Sequence, residues 1–239
     1  TGRSALLLGA TGATGKHLLR ELLACSQYSR VGEYGRWVTS PDDLQDKEKL
    51  EQKTIDFEKV EEAGLREGKW DVVYIILGTT RAKAGNSAAF ERIDRDYVVN
   101  AARAAKSNDP QHTQRLVYLS SNGASPNASL LYLRSKGLTE MALASLGYEE
   151  TIILRPGFLR GAERGESRPF EAVMMYVCCA LLNLIRINAG LAVPLLAKSM
   201  RIAGESGSVA LLSQGQATSG GEDGRNFTVV GNSECISLS

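Results

Sequence analysis

Histidine and cysteine are scarce in this chain, with two of the first and four of the second among 239 residues. Cys25, Cys178, Cys179 and Cys235 form no C-x-x-C pair, which argues against a zinc centre. They read as reduced thiols of a cytosolic-type compartment. His17 and His112 have no carboxylate at an informative spacing and receive no catalytic role. Charge of one sign is also lacking: 28 Lys and Arg balance 27 Asp and Glu, for a net +1. No global field draws such a chain to nucleic acid, and no basic run alternates with aromatics. A bilayer-spanning run is missing too. Residues 170–187 are apolar nearly all round, but Asn183 interrupts them. The expectations for that segment are a buried or dimer-forming helix, or attachment to a membrane surface. No signal or transit peptide is visible at Thr1, which leads directly into a strand.

What is present is an alternation of apolar runs with helical stripes. Strands are expected at residues 4–9, 30–35, 54–57, 71–77, 115–119 and 151–154. Between them, Leu18, Leu19, Leu22 and Leu23 form one helical stripe, and Phe90, Ile93, Tyr97, Ala101 and Ala104 form another. A charged helix is expected near 58–66 and a longer one at 130–146. Parallel strands need helical crossovers, so the expected fold is a single α/β domain over residues 1–239. It is a Rossmann-like doubly wound parallel sheet with helices on both faces. Residues 156–225 read as a substrate, lid or interface region within it. The glycine- and serine-rich stretch 204–225 is expected to be a loop, and 227–230 a final edge strand.

The first strand flows into Gly9-Ala10-Thr11-Gly12-Ala13-Thr14-Gly15, a G-x-x-G-x-x-G turn opening a helix. Gly9 allows the tight turn, Gly12 lets main chain approach a pyrophosphate, and Gly15 permits close helix packing. The helix then aims its first amides at the phosphates, and Thr11 and Thr14 offer hydroxyls. This context on both sides turns a weak triplet into a dinucleotide fingerprint. An NAD site places a carboxylate about 20 residues further on. Here that place holds Gly35 followed by Arg36, and a guanidinium suits a 2′-phosphate. The cofactor expected is therefore NADP(H).

Tyr132-Leu133-Arg134-Ser135-Lys136 sets a phenol and an ammonium one helical turn apart. A neighbouring ammonium favours a phenolate, so this pair suits proton transfer to a carbonyl oxygen. Ser120 and Ser121 end the preceding strand, where open α/β sheets bind ligands. Ser121 is the expected substrate serine, with Ser120 as reserve.

In this order the motifs resemble the atypical short-chain dehydrogenase/reductase superfamily. Within it, Leu77-Gly78-Thr79-Thr80-Arg81-Ala82-Lys83-Ala84-Gly85 resembles the HIV Tat-interactive protein family of oxidoreductases. So do Asp94-Arg95-Asp96-Tyr97, Leu154-Arg155-Pro156-Gly157 and Glu166-Ser167-Arg168-Pro169. The resemblance spans roughly residues 4–170. It implies that residues 11–14, with Ala13 among them, lie on the cofactor phosphates and Arg36 on the 2′-phosphate. Leu77 and Gly78 would flank the adenosine side, and Leu159 and Arg168 would close over the nicotinamide. Tyr132 would be the proton donor and Lys136 its partner. Two departures stand out: Trp37 replaces a second arginine, and the stretch at 38–43 is short. The family includes fungal relatives associated with mitochondria.

Three functions follow as expectations. One is an NADPH-dependent carbonyl reductase acting on a small or lipophilic molecule. Another is a non-catalytic NADPH-binding sensor working through a protein partner; a homodimer is the other assembly expected. The third is a peripheral membrane protein held by 170–187.

Overall fold

The computed structural model describes residues 2–160 and 190–239. In the first strand, β1 (Arg3–Leu8), Ala5 and Leu7 face one side and Leu6 and Leu8 the other. All four are fully buried. A strand covered on both faces belongs inside a parallel sheet and is encoded by an unbroken apolar run rather than by alternation. The sheet runs β3 (Leu50–Thr54), β2 (Tyr28–Gly35), β1, β4 (Val72–Ile75), β5 (Arg115–Leu119), β6 (Glu150–Leu154), β10 (Arg225–Val230), β9 (Thr218–Glu222). Only β9 is antiparallel to its neighbour. A separate parallel pair joins β7 (Leu159–Arg160) to β8 (Leu191–Ala192).

One face is covered by α1 (Gly15–Ala24), α6 (Val193–Ser213) and α7 (Asn232–Ser237). The other is covered by α4 (Tyr97–Ala105), α5 (Leu131–Ala144) and a 3-10 segment, Phe57–Ala63. The result is the Rossmann-like, doubly wound α/β architecture. The strand order reverses beside β1, so a crevice opens over the carboxyl ends of β1 and β4.

Several expectations are corrected. The third strand lies at Leu50–Thr54 rather than 54–57, because an edge strand facing water carries little apolar signal. Ile55 and Phe57 are buried just past it. The charged helix at 58–66 is the 3-10 segment, broken at Lys59 (φ −125°, ψ 34°) and stopped by Gly64 in the left-handed region. The helical stripe from Phe90 to Ala104 is divided. After α2 (Arg81–Ala84) and α3 (Ser87–Glu91), a wider π turn spans Arg92–Asp96 before α4. Its buried face runs through Asp94, Val98, Ala101, Ala102 and Ala105, with Ile93 and Tyr97 only half buried.

Residues 204–225 are not a loop. Helix α6 continues to Ser213, and a hairpin of β9 and β10 follows. Helix α6 is interrupted at Gly207 (φ 78°, ψ 170°), where charged groups satisfy the break. The Arg115 guanidinium donates to the carbonyls of Gly204 (3.0 Å) and Glu205 (2.9 Å). Ser208 N donates to Glu150 Oε2 (3.2 Å), and Arg115 and Glu150 pair at 2.6 Å. Cation at the carbonyl end and carboxylate at the amide end match the two half-helix dipoles. Strand β10 lies inside the sheet between β6 and β9, so 227–230 is not an edge; the short polar β9 takes that position.

Candidate functional site

Every described residue of the expected site lies in a segment that leaves the sheet at, or follows, the carboxyl ends of the strands. After β1, Gly9 adopts φ +102°, and a Cβ there would sit 2.9 Å from the backbone of Ile76. Gly12 N donates to Gly9 O at 3.2 Å and closes the turn. At Gly15 a Cβ would fall 2.0 Å from Gly9 O, so its close packing is against the turn itself. Gly12 differs from both. It is exposed, and a Cβ would meet only Gly9 O at 3.4 Å; unlike Gly9 it has no positive φ. The protein's own packing therefore does not require glycine there, and the free space above it is a cradle that a Cβ would fill. Thr11 is exposed and Ala13 half buried. Thr14 precedes α1 buried, without a side-chain cap bond, so its hydroxyl does not compete for the amides of the first turn.

Arg36 directly follows β2, exposed, with its guanidinium 4.9 Å from the centre of the Trp37 ring. Trp37 is itself two-thirds exposed. The loop behind them is tied down by Glu33, a fully buried carboxylate on β2 that no motif or spacing marks. It accepts from Thr39 N (2.8 Å), Thr39 Oγ1 (2.8 Å) and Gln52 Nε2 (2.8 Å). Leu77 is half buried and Gly78 exposed beyond β4. Leu159 is half buried in β7. Arg168, Cys178, Cys179 and the apolar stretch 170–187 lie outside the described residues.

Ser120 N donates to Leu154 O at 2.9 Å, which extends the pairing of β5 with β6. Alternation then puts Ser120 on the face of Tyr118, where α5 packs. Its hydroxyl is buried and has no hydrogen-bond partner. Ser121 is half buried, and its Oγ reaches only Asn122 O at 3.4 Å. The loop after it lies close on α5: Ser125 N donates to Leu133 O at 3.2 Å, and a Cβ on Gly137 would meet Ser125 C at 2.2 Å.

Tyr132 and Lys136 sit one turn apart on α5 but in different surroundings. Tyr132 is 44% exposed, its ring 6.3 Å from that of Phe90. The ammonium is buried, 5.9 Å from the Tyr132 ring centre. Lys136 Nζ donates to Tyr118 Oη at 2.9 Å and stands 3.2 Å from Asp94 Oδ1. Burial is the largest influence on Lys136 and alone favours the neutral amine. Tyr118, Asp94 and Tyr132 together outweigh it and hold the ammonium above the ordinary lysine range. Burial keeps the Tyr118 phenol protonated, well above its usual value. Asp94 was not anticipated. The signal available was a carboxylate one position off the apolar stripe.

Among the described residues no cluster of ligating side chains fits a metal ion, and no helix is long and apolar enough to cross a membrane. His112 Nε2 lies 3.0 Å from Trp70 O, away from the crevice.

A sheet of this order, with a glycine turn leading into a helix, defines a dinucleotide-binding fold, and comparison with known proteins agrees. The NAD(P)H-binding family matches residues 9–172, and the chain belongs to it. Its relatives include Protein HTATIP2 of Rattus norvegicus, 39% identical over 170 residues, which are 71% of this chain and 67% of that protein. Another is the mitochondrial Protein fmp52 of Aspergillus niger, 38% identical over 179 residues, or 70% and 71% of the two chains. A short-chain dehydrogenase/reductase of Saccharomyces cerevisiae has the same fold at TM-score 0.61 and 16% identity, covering 97% of this chain and 96% of its own.

Proposed function

We propose that the chain is an NADP(H)-dependent reductase of carbonyl compounds. The observation that carries this reading is the Lys136 ammonium, buried at the carboxyl rim of the sheet one turn from the half-exposed Tyr132 phenol. The residues present fit a dinucleotide: Gly12 leaves a cradle beside the amides of α1, and Arg36 offers a guanidinium where a 2′-phosphate needs one. The cofactor, when bound, supplies hydride. The chain's own groups then bind, orient and move a proton. Arg36 and Trp37 take the adenosine end, and the first-turn amides of α1 take the pyrophosphate. Tyr132 Oη donates the proton to the substrate oxygen, and the Lys136 charge stabilises the phenolate left behind. Of the two serines, Ser120 supports the substrate-holding role better, since its buried hydroxyl has no other partner.

Titration with NADPH and NADH by cofactor fluorescence tests the first half of the proposal. A panel of aldehydes and ketones followed by NADPH absorbance tests the second. Equal affinity for both cofactors removes the NADP preference, and no oxidation across the panel removes the reductase. A sensor reading is favoured by one observation: the hydrogen bond of Lys136 goes to Tyr118 rather than Tyr132. A cellular phenotype that survives Tyr132→Phe would support it.

A further inference from the structure

Residues 35–39, the arch that carries Arg36 and Trp37, are pinned at both ends. At the near end Ile55 N donates to Gly35 O at 2.9 Å, and a Cβ on Gly35 would sit 2.9 Å from Trp37 O. The chain therefore folds back there too tightly for a side chain. At the far end stands Glu33, and the parallel register sets Gln52 of β3 beside it. Glu33 Oε1 accepts from Thr39 N and from Thr39 Oγ1, and Oε2 accepts from Gln52 Nε2, each at 2.8 Å. Gln52 Nε2 also donates to Thr39 O at 2.7 Å. Between the pins stand only Arg36, Trp37 and Val38, the first two exposed.

These donors dictate what residue 33 must be. Thr39 O turns the Gln52 carboxamide so that its NH2 faces Glu33. Both oxygens at 33 must therefore accept, one from the main-chain amide and one from Gln52. A carboxylate meets that demand, whereas a carboxamide of the same size would set a donor against a donor. Glu33 is removed from water among these neutral donors, which is a costly place for a carboxylate whose only task is packing. We infer that Glu33 is the positioning residue for cofactor choice: it holds the arch so that Arg36 stands ready for a 2′-phosphate before the nucleotide arrives. A guanidinium on an ordered arch loses less freedom on binding than one on a slack loop. NADH lacks the 2′-phosphate and gains nothing from that order. This deepens the NADP(H) reading and rests on it for its consequence, but the pinning itself is measurable without cofactor.

The experiment titrates the full chain with NADPH and with NADH by cofactor fluorescence. It compares the wild type, Glu33→Gln, the double variant Glu33→Gln with Gln52→Met, Thr39→Ser and Thr39→Val. Hydrogen exchange of the residue-39 amide is followed by NMR in the same proteins, free of nucleotide. Glu33→Gln should weaken NADPH by about 10-fold, the cost of ordering one long side chain on binding. It should leave NADH near the wild-type value and speed exchange at residue 39. Gln52→Met takes away the opposing donor, so the double variant should regain part of the NADPH preference and of the slow exchange. Thr39→Ser keeps the hydroxyl and should match the wild type; Thr39→Val removes it and should fall between the wild type and Glu33→Gln. This last pair decides the matter if Glu33→Gln does not fold, and equal NADPH:NADH ratios in the two then overturn the proposal. A purely structural Glu33 would lower the melting temperature and both affinities together. That result, an unchanged NADPH:NADH ratio in Glu33→Gln, or unchanged exchange at residue 39 overturns the proposal. A wild type that binds both nucleotides equally sinks the NADP(H) reading itself, and exchange at residue 39 then still judges whether Glu33 pins the arch.

Discussion

Gly12 and Gly15 have different tasks in the motif, and their surroundings give them opposite sensitivities. Alanine at 12 meets only Gly9 O, at an ordinary 3.4 Å, with no positive φ to oppose it. Its effect on stability is expected within about 0.5 kcal/mol, a shift of roughly 2 °C or less for a chain of this size. The same methyl fills the cradle over which a pyrophosphate must settle. Loss of that close approach is expected to weaken NADPH binding by ~100-fold, or about 2.7 kcal/mol. Alanine at 15 puts its methyl 2.0 Å from Gly9 O and 2.8 Å from Ala10 Cα. Backbone must move, which costs about 2 kcal/mol or more and lowers the melting temperature by roughly 4–8 °C. Thermal melting of the cofactor-free proteins and NADPH titration of each separate the two effects. A Gly12→Ala protein that binds NADPH like the wild type would refute the cradle. So would one that melts as low as Gly15→Ala.

Other expectations are independent of that one. Arg36→Ala should weaken NADPH by about 1.5–3 kcal/mol, the range for a charge-assisted hydrogen bond, and leave NADH within twofold, as read by the same titration. Tyr132→Phe should abolish carbonyl reduction while NADPH affinity stays within twofold; retained turnover removes the phenol from the mechanism. Arg155→Met strips the partner from the buried Glu140 carboxylate, which Arg155 Nε meets at 3.0 Å. A loss of about 3–5 kcal/mol in denaturant unfolding is expected, and a loss below 1 kcal/mol would contradict the pairing. Burial pushes the Cys235 thiol up to about 12, so the folded state keeps a proton that the unfolded state releases above pH 9. Its contribution to stability is present below pH 9 and lost as pH rises toward 12. Cys235→Ala should therefore lose less melting temperature than the wild type between pH 9 and 10.5.

How much was legible follows from what each residue answers to. The opening strand, its glycine turn and the Leu18–Leu23 stripe were readable because burial on two faces and turn sterics act locally. The same holds for Tyr132 and Lys136, whose spacing alone puts them on one helix. Strand β3 was misplaced because Glu51 and Lys53 face water at an edge, and an edge leaves no apolar pattern. The glycines and serines at 204–208 were read as a loop, since the groups that satisfy their helix break, Arg115 and Glu150, are remote in sequence. Asp94, though part of a quoted motif, shows no burial in the sequence pattern because a π turn moves the buried face one residue away from the stripe through Ile93 and Tyr97. Glu33 escaped because its three donors come from the far side of a loop.

The interruption at Gly207 has a bearing on how this molecule can be altered. Arg115 and Glu150 are the first residues of their strands, so the clamp they form lies at the amino rim, a full strand length from the nucleotide turn. Changes that tighten or relax that clamp are expected to shift the melting temperature while NADPH titration stays unchanged. An engineer seeking a hardier variant has there a region remote from the glycine turn to rebuild.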